Sequence, residues 1–216
     1  MGVASYSGAS SVIKPGVVTS STRPSSPFVG QLIYETDTNR LAAYNGSAWV
    51  TQNALVTIVP PTTFTAVSSF SLPASTFTTT YTHYIVNVSN LPSATGQISM
   101  RMRISGADDT AANYDYYNIG SDYTGTARTI AAASATAWRL PDIQTPFRTD
   151  FSMQVINPRQ AAFTAGHLQM VGFSGNVTGF ATALTYRATT AFDSLSLIAQ
   201  NGTFTGSYAV YAYTVS

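Results

Sequence analysis

The chain has 216 residues, of which only 9% are charged, and its formal net charge is +1. Nucleic-acid binding requires clustered lysine and arginine, so this charge argues against a nucleic-acid partner. The sequence contains no cysteine, which excludes disulfides and cysteine-based metal sites, and no apolar run approaches the roughly 18 residues of a membrane-spanning helix. We therefore expect no nucleic-acid partner, no membrane insertion and no cofactor or metal.

The composition favours strands over helices. The chain has 31 threonines and 25 serines but a single lysine, Lys14, and a single glutamate, Glu35. Threonine, valine, tyrosine and phenylalanine are enriched in strands, and apolar residues seldom recur at the spacing of an amphipathic helix. The alanine-rich stretch from Thr129 to Ala137 is the one segment that could form a turn of helix. We therefore predict an all-β protein.

The first 53 residues divide into an arm and a small module. Residues 1–28 are rich in serine, glycine, proline and threonine, and we predict that they form an extended attachment arm. Residues 29–53 are predicted to form a three-stranded hairpin module, in which Asn45-Gly46 marks a tight turn because both residues tolerate positive φ. Three short strands bury too small a core to be stable alone. The module is therefore expected to pack against other copies of itself or against a larger particle.

The rest of the chain is predicted to be a linker and one large domain. Residues 54–69 contain Pro60 and Pro61 among threonines, which is typical of a linker. Residues 70–216 are predicted to form a β-sandwich of jelly-roll type, because short alternating segments recur between turn residues. The clearest predicted strands are Gln97–Ile104 and a segment containing Phe151, Met153 and Val155. The others are Tyr84–Val88, His167–Phe173, Phe180–Tyr186, Leu195–Gln200 and Ser207–Val215.

The last predicted strand is apolar or aromatic on both faces. Tyr208, Val210 and Ala212 share one face, and Tyr211 and Tyr213 lie on the other. At the outside of a monomer, this strand would expose large aromatic groups to water. It is therefore expected either to be covered on both sides or to contact a neighbouring subunit through Tyr211 and Tyr213.

A tyrosine-rich stretch offers a candidate glycan site. Aromatic rings can stack on the C–H faces of sugars while carboxylate and amide groups bind hydroxyls. The alternative is that these tyrosines fill a core or a subunit interface. The residues that would form the site are Tyr114, Tyr116, Tyr117, Tyr123 and Asp115.

The residues that catalysis would need form no recognisable constellation. The two histidines, His83 and His167, lie in predicted strands and are interpreted as polar-face or edge residues. The densest set of carboxylates comprises Asp108, Asp109, Asp115 and Asp122. These could form a calcium site or a glycosidase pair, or lie on a solvated loop; their spacing does not match an EF-hand. We predict that the protein is not an enzyme.

The hairpin module carries a resemblance to a known family. The segment GQLIYETDTNR from Gly30 to Arg40, followed by YNGSAW from Tyr44 to Trp49, resembles a module of tailed-bacteriophage structural proteins. That module occurs in tail fibres, minor tail proteins and head fibres, generally as trimers. The resemblance implies a homotrimer, in which Ile33, Leu41 and Trp49 of three chains would share a core at the threefold axis.

The C-terminal region looks like a β-sandwich domain of phage virion proteins. The resemblance lies in the segment Met153 to Pro158 and in the pattern Gly-X-Phe-X-Gly that starts at Gly202. Together the two resemblances imply a virion protein, a short trimeric tail fibre or minor tail protein, that attaches to other virion proteins by its N-terminal arm and adheres to a host-surface glycan. The alternatives are a head fibre or capsid decoration protein that stabilises the shell, and a capsule depolymerase.

Overall fold

The computed structural model describes residues 15–51, 55–121, 126–141, 143–173 and 177–213. The chain forms two compact units, Met1–Ala54 and Leu55–Ser216. Every regular element in the described residues is a strand, so the prediction of an all-β protein is confirmed. Among the same residues, no helix is long and apolar enough to cross a membrane. Residues 1–14 of the predicted arm lie outside the described residues.

The first unit is a four-stranded sheet in the order β1-β2-β3-β4. Its strands are β1 (Gly16–Val18), β2 (Leu32–Glu35), β3 (Arg40–Tyr44) and β4 (Trp49–Thr51). The last three are the predicted hairpin strands. The prediction of an extended arm over residues 1–28 is wrong for Gly16–Val18, because these residues form β1 and pair in parallel with β2. The turns follow from residues that adopt positive φ, Asn39 at 53° and Gly46 at 102°.

The second unit contains thirteen described strands. They are β5 (Val56–Val67), β6 (Ser69–Ser71), β7 (His83–Pro92), β8 (Ile98–Ile104), β9 (Ala107–Asp108), β10 (Tyr114–Ser121), β11 (Ala127–Ala135), β12 (Trp138–Arg139), β13 (Thr149–Ile156), β14 (Thr164–Phe173), β15 (Val177–Tyr186), β16 (Ser194–Ala199) and β17 (Phe204–Tyr213). Eight form a large sheet in the order β11-β10-β15-β14-β13-β7-β17-β5. The others form a smaller sheet in the order β12-β8-β16-β6, with β9 paired to β8.

One hydrophobic core draws residues from both sheets, as a β-sandwich requires. Met100 and Met102 of β8 belong to it, and so do Phe151 and Met153 of β13. Side chains alternate between the two faces of a strand, so the alternation read from the sequence fixes which residues enter the core. The final strand, β17, lies between β7 and β5 and buries Val210 completely.

The prediction of a linker over residues 54–69 is wrong, because Val56–Val67 form strand β5 of the large sheet. β5 pairs with β17 along most of its length and with no other described strand. Pro60 and Pro61 lie where the pairing with β17 shifts register, between Val59 and Thr62, and proline is tolerated both at such bulges and at sheet edges. The second unit therefore begins at Leu55 rather than at residue 70.

Gly206 allows β17 to approach β7 closely. A Cβ atom at this position would lie 1.9 Å from the carbonyl oxygen of Ser89, far inside contact distance. Only glycine fits there without movement of one of the strands. The second glycine of the Gly-X-Phe-X-Gly pattern, Gly206, is thus explained by packing between adjacent strands.

Candidate functional site

The predicted glycan-binding tyrosines do not share a surface. They lie on β10, where alternation sends Tyr114 and Tyr116 into the core and leaves Tyr117 exposed. A buried tyrosine cannot stack on a sugar, so the prediction is wrong for Tyr114 and Tyr116. Tyr123 lies outside the described residues. Of the predicted tyrosines that the structure describes, Tyr117 alone is accessible.

Tyr114 is a structural residue that joins the two sheets. Its hydroxyl accepts a hydrogen bond from the Met102 amide at 3.0 Å and donates one to the Asp109 carbonyl at 2.9 Å. Its ring packs edge to face against Trp138 and Tyr186, with centroids 5.3 and 4.9 Å apart. Burial raises the pKa of the Tyr114 phenol above its usual range. The phenol therefore stays protonated and available for both hydrogen bonds.

The aspartates near β10 are each held by separate structural contacts. Asp108 accepts hydrogen bonds from Arg103 and Ser196. The Asp109 carboxylate accepts a hydrogen bond from the Tyr186 hydroxyl and another, at 2.7 Å, from the Ala111 amide. These contacts tie β9 and the loop after it to neighbouring strands. Asp122 lies outside the described residues, and within them no group of His, Asp and Glu side chains is arranged to hold a metal ion.

Asp115 likewise has protein partners. Its carboxylate lies 2.9 Å from the Arg187 guanidinium and accepts a hydrogen bond from the Ser134 amide at 2.8 Å. Asp115 and Tyr117 lie on the same face of β10, but Asp115 is engaged with β11 and with the residue after β15. The predicted pairing of a free carboxylate with tyrosine rings is therefore not formed.

The first unit has one covered face and one open face. Ile33 is completely buried, and Glu35 beside it is buried with its Oε1 atom 2.5 Å from Arg23 Nε. The hydrogen bond from Arg23 is the main reason that the pKa of Glu35 lies below its usual range. Trp49 lies on this covered face and packs on Tyr44, with ring centroids 5.5 Å apart.

Leu41 points to the opposite face, so the predicted core shared by Ile33, Leu41 and Trp49 is wrong. The register pairs Leu41 with Tyr34 and Tyr34 with Val17, which places these residues on one face. We call this surface the open face; it comprises Val17, Leu32, Tyr34, Leu41, Ala43 and Val50. Val17 is 69% exposed, Leu41 44% and Val50 49%.

The large sheet carries a groove on the side that faces away from the core. The groove has a volume of about 700 Å³. Its polar side chains come from β7, β13, β14 and β17, and Tyr211 of β17 adds an aromatic ring. We define the groove by Asn87, Ser89, Asp150, Ser152, Gln169, Ser207, Ala209 and Tyr211.

The register arranges these side chains in rows across the sheet. One row runs from Ala209 through Asn87 and Ser152 to Gln169. The row beside it runs from Ser207 through Ser89 to Asp150. In both rows the polar groups lie at the spacing of adjacent strands, roughly 4.8 Å.

A smaller cavity of about 180 Å³ continues the groove along the strands. It shares Ser152 and Gln169 with the groove and adds Gln154 and the exposed His167. The side chain of Gln154 in this cavity donates a hydrogen bond to the hydroxyl of Tyr213. The ring of Tyr213 stacks on His83, with centroids 5.1 Å apart. Tyr211 and Tyr213 were both predicted to contact a neighbouring subunit. Tyr211 lies on the same side of β17 as Tyr213, is half-buried, and lines the groove itself.

The groove was not predictable from the sequence because its residues are far apart in the chain. Four different strands supply its main side chains, which are Asn87, Asp150, Gln169 and Tyr211, and no local motif joins them. The alternation of Asn87 and Ser89 with buried valines was the available signal, since it marks residues that face away from the core.

Comparison with known proteins gives no family assignment. No protein-family model matches the chain. No curated protein matches it in sequence.

Proposed function

We propose that the protein is a structural component of a tailed-bacteriophage virion, a short trimeric tail fibre or minor tail protein. In this proposal the part of the N-terminal arm that precedes β1 attaches the chain to other virion proteins, and the β-sandwich is presented to the host surface. The protein is a binding protein rather than an enzyme. The observation that carries the proposal is the open face of the first unit.

The open face supports assembly because an apolar sheet surface in water is usually an interaction site. Val17, Leu41 and Val50 are large apolar residues on a sheet of only four short strands. Contact with other copies of the module would remove them from water, and each such residue contributes roughly 1.5–3 kcal/mol when fully buried. The proposed subunit interface is therefore the open face rather than the side of Ile33 and Trp49.

The groove supports the adhesion part of the proposal. It lies on the exposed side of the large sheet and combines polar side chains with Tyr211. Asp108, Asp109 and Asp115 are engaged in structural contacts, which favours binding over hydrolysis by these residues.

Native mass spectrometry of the full chain tests the assembly. We expect a trimer at micromolar concentration, and we expect Leu41→Glu to shift it to monomer by placing a charge in the apolar interface. Ser26→Glu, which adds the same charge at an exposed position off the sheet, is the control and should leave the trimer unchanged. A wild-type monomer would contradict the proposal.

Cryo-electron microscopy of antibody-labelled particles tests the location in the virion. Label at the tail is the expected result. Label distributed over the capsid would replace the tail assignment with a head fibre or capsid decoration protein. Release of reducing ends from capsular polysaccharide by the purified chain would instead make it a depolymerase.

A further inference from the structure

We propose that the groove on the large sheet binds an uncharged oligosaccharide. This inference rests on the adhesion role proposed above and assigns it to a site remote from the buried tyrosines of β10. It depends on neither trimer formation nor the position of the chain in the virion.

The size of the groove suits a short run of sugar rings. Its volume of about 700 Å³ falls within the range of small-molecule sites, roughly 300–1,000 Å³. It extends from β17 to β14, which are separated by three strand spacings or roughly 14 Å. The groove is open at the sheet surface, so a chain can lie across the strands with both of its ends in solvent.

The polar groups of the groove are available to a ligand. Within the described residues, the side chains of Asn87, Ser152 and Gln169 have no hydrogen-bond partner, and the Asp150 carboxylate has neither a hydrogen bond nor an ion pair. Amides both donate and accept, and a carboxylate accepts. This is the mixture that a row of sugar hydroxyls requires, because each hydroxyl also donates and accepts.

Tyr211 supplies an apolar surface at one end of the groove. It is half-buried, so its ring is held in place while part of it stays accessible. A tyrosine ring offers an apolar body and a polar hydroxyl tip. The C–H face of a pyranose can therefore stack on Tyr211 while hydroxyls of the following rings reach Asn87 and then Gln169.

The charges favour a neutral ligand. Asp150 is the only charged residue among the described residues that line the groove. Arg148, next to this row, donates a hydrogen bond to Ser89, and His167 lies in the adjoining cavity. An acidic polysaccharide would bring negative charge towards Asp150 without a cluster of cations to offset it.

A second copy of the chain is a poorer occupant than a sugar. Burial against an identical surface would take Asn87, Gln169 and the Asp150 carboxylate out of water. Burial of polar groups without partners costs about 1–3 kcal/mol each, and more for a charge. A hydroxyl-rich ligand avoids this cost because it replaces the lost water contacts.

The test measures binding of the full chain to immobilised bacterial envelope polysaccharides, neutral and acidic, by biolayer interferometry. We expect binding to neutral polysaccharides. Tyr211→Ala and the double variant Asn87→Ala with Gln169→Ala should each weaken that binding about tenfold or more, which corresponds to about 1.4 kcal/mol. Tyr117→Ala, at an exposed tyrosine five strands away on the same face, is the control and should bind like wild type.

The remaining outcomes separate the site from the function. If the groove variants bind like wild type, or if only acidic polysaccharides bind, the groove proposal is overturned while adhesion stands. If the wild-type chain binds no polysaccharide, both the groove proposal and the adhesion role fail. Native mass spectra of the variants complete the test: a Tyr211→Ala chain that loses its trimer would place Tyr211 in a subunit interface and overturn the groove. If a groove variant keeps the oligomeric mass and the thermal midpoint of the wild type, its loss of binding is due to the groove.

Discussion

The Tyr114 hydroxyl accepts a hydrogen bond from the Met102 amide at 3.0 Å and so connects the large sheet to the small one. Met102 lies on β8 of the small sheet and Tyr114 on β10 of the large sheet. The same hydroxyl donates to the carbonyl of Asp109, just after β9. A residue that the sequence suggested for sugar binding thus holds the sandwich together.

Tyr114→Phe should destabilise the protein by about 1–3 kcal/mol, because it leaves the buried Met102 amide without its partner. Tyr117→Phe is the matched control, since it removes a hydroxyl from an exposed tyrosine on the same strand and should change stability by no more than about 0.5 kcal/mol. Urea unfolding followed by circular dichroism measures both. Equal effects of the two substitutions would show that the Tyr114 hydroxyl contributes nothing.

The first unit should lose stability in acid because of Glu35. The folded pKa of this carboxyl lies below its unfolded value, chiefly through the hydrogen bond from Arg23. Its contribution is therefore complete above the unfolded pKa of about 4.3 and is lost as the pH falls through the folded pKa. Glu35→Gln should flatten this dependence.

Fluorescence of Trp49 in a Trp138→Phe background can follow unfolding of the first unit. The denaturant midpoint is measured at about pH 6, 4 and 3. As the pH is lowered, the midpoint should fall more steeply for the Trp138→Phe parent chain than for its Glu35→Gln variant. If the midpoints of the two proteins fall equally with pH, the acid sensitivity comes from other carboxylates.

Gly206→Ala should destabilise the large sheet by about 1–3 kcal/mol, because the added methyl would collide with the Ser89 carbonyl and force β17 from β7. Gly179→Ala tests the same change elsewhere in the sheet, where the nearest atom to a Cβ is Met170 O at 3.9 Å. It should be neutral or slightly stabilising, since glycine weakens a strand interior. Thermal unfolding compares the two; a tolerated Gly206→Ala would contradict the close approach.

Asp115→Ala should have little effect on stability and none on glycan binding. The Asp115–Arg187 pair is partly exposed, and such pairs contribute about 1 kcal/mol or less. The binding assay and a thermal scan measure the two properties on one preparation. Loss of sugar binding in this variant would return the site to β10.

The sequence predicted strands well wherever one face is buried. Met100 and Met102 alternate with arginines, and this period of two places them in the core. Pairing partners were not predictable, because β13 and β7 meet only after the chain has passed through several other strands. The groove depends on those pairings.

One error and one unusual strand have the same physical cause, the tolerance of sheet edges for unusual residues. Pro60 and Pro61 suggested a linker but lie in β5 at one edge of the large sheet. The alanine-rich stretch from Thr129 to Ala137 was open to a turn of helix within the all-β prediction, and it contributes most of β11 at the other edge. An edge strand is hydrogen-bonded on one side only, so its composition is less restricted than that of a central strand.

The prolines of β5 also bear on how a protein of such low charge avoids aggregation. A free sheet edge is a template onto which another chain can add a strand, and charged side chains often prevent this. With 9% charged residues, this chain has few available for that purpose. Neighbouring amides of a strand point to opposite sides, so one of the two prolines removes a donor from the row that an incoming strand would need. The edge of β5 is thus interrupted by backbone chemistry, which salt does not screen.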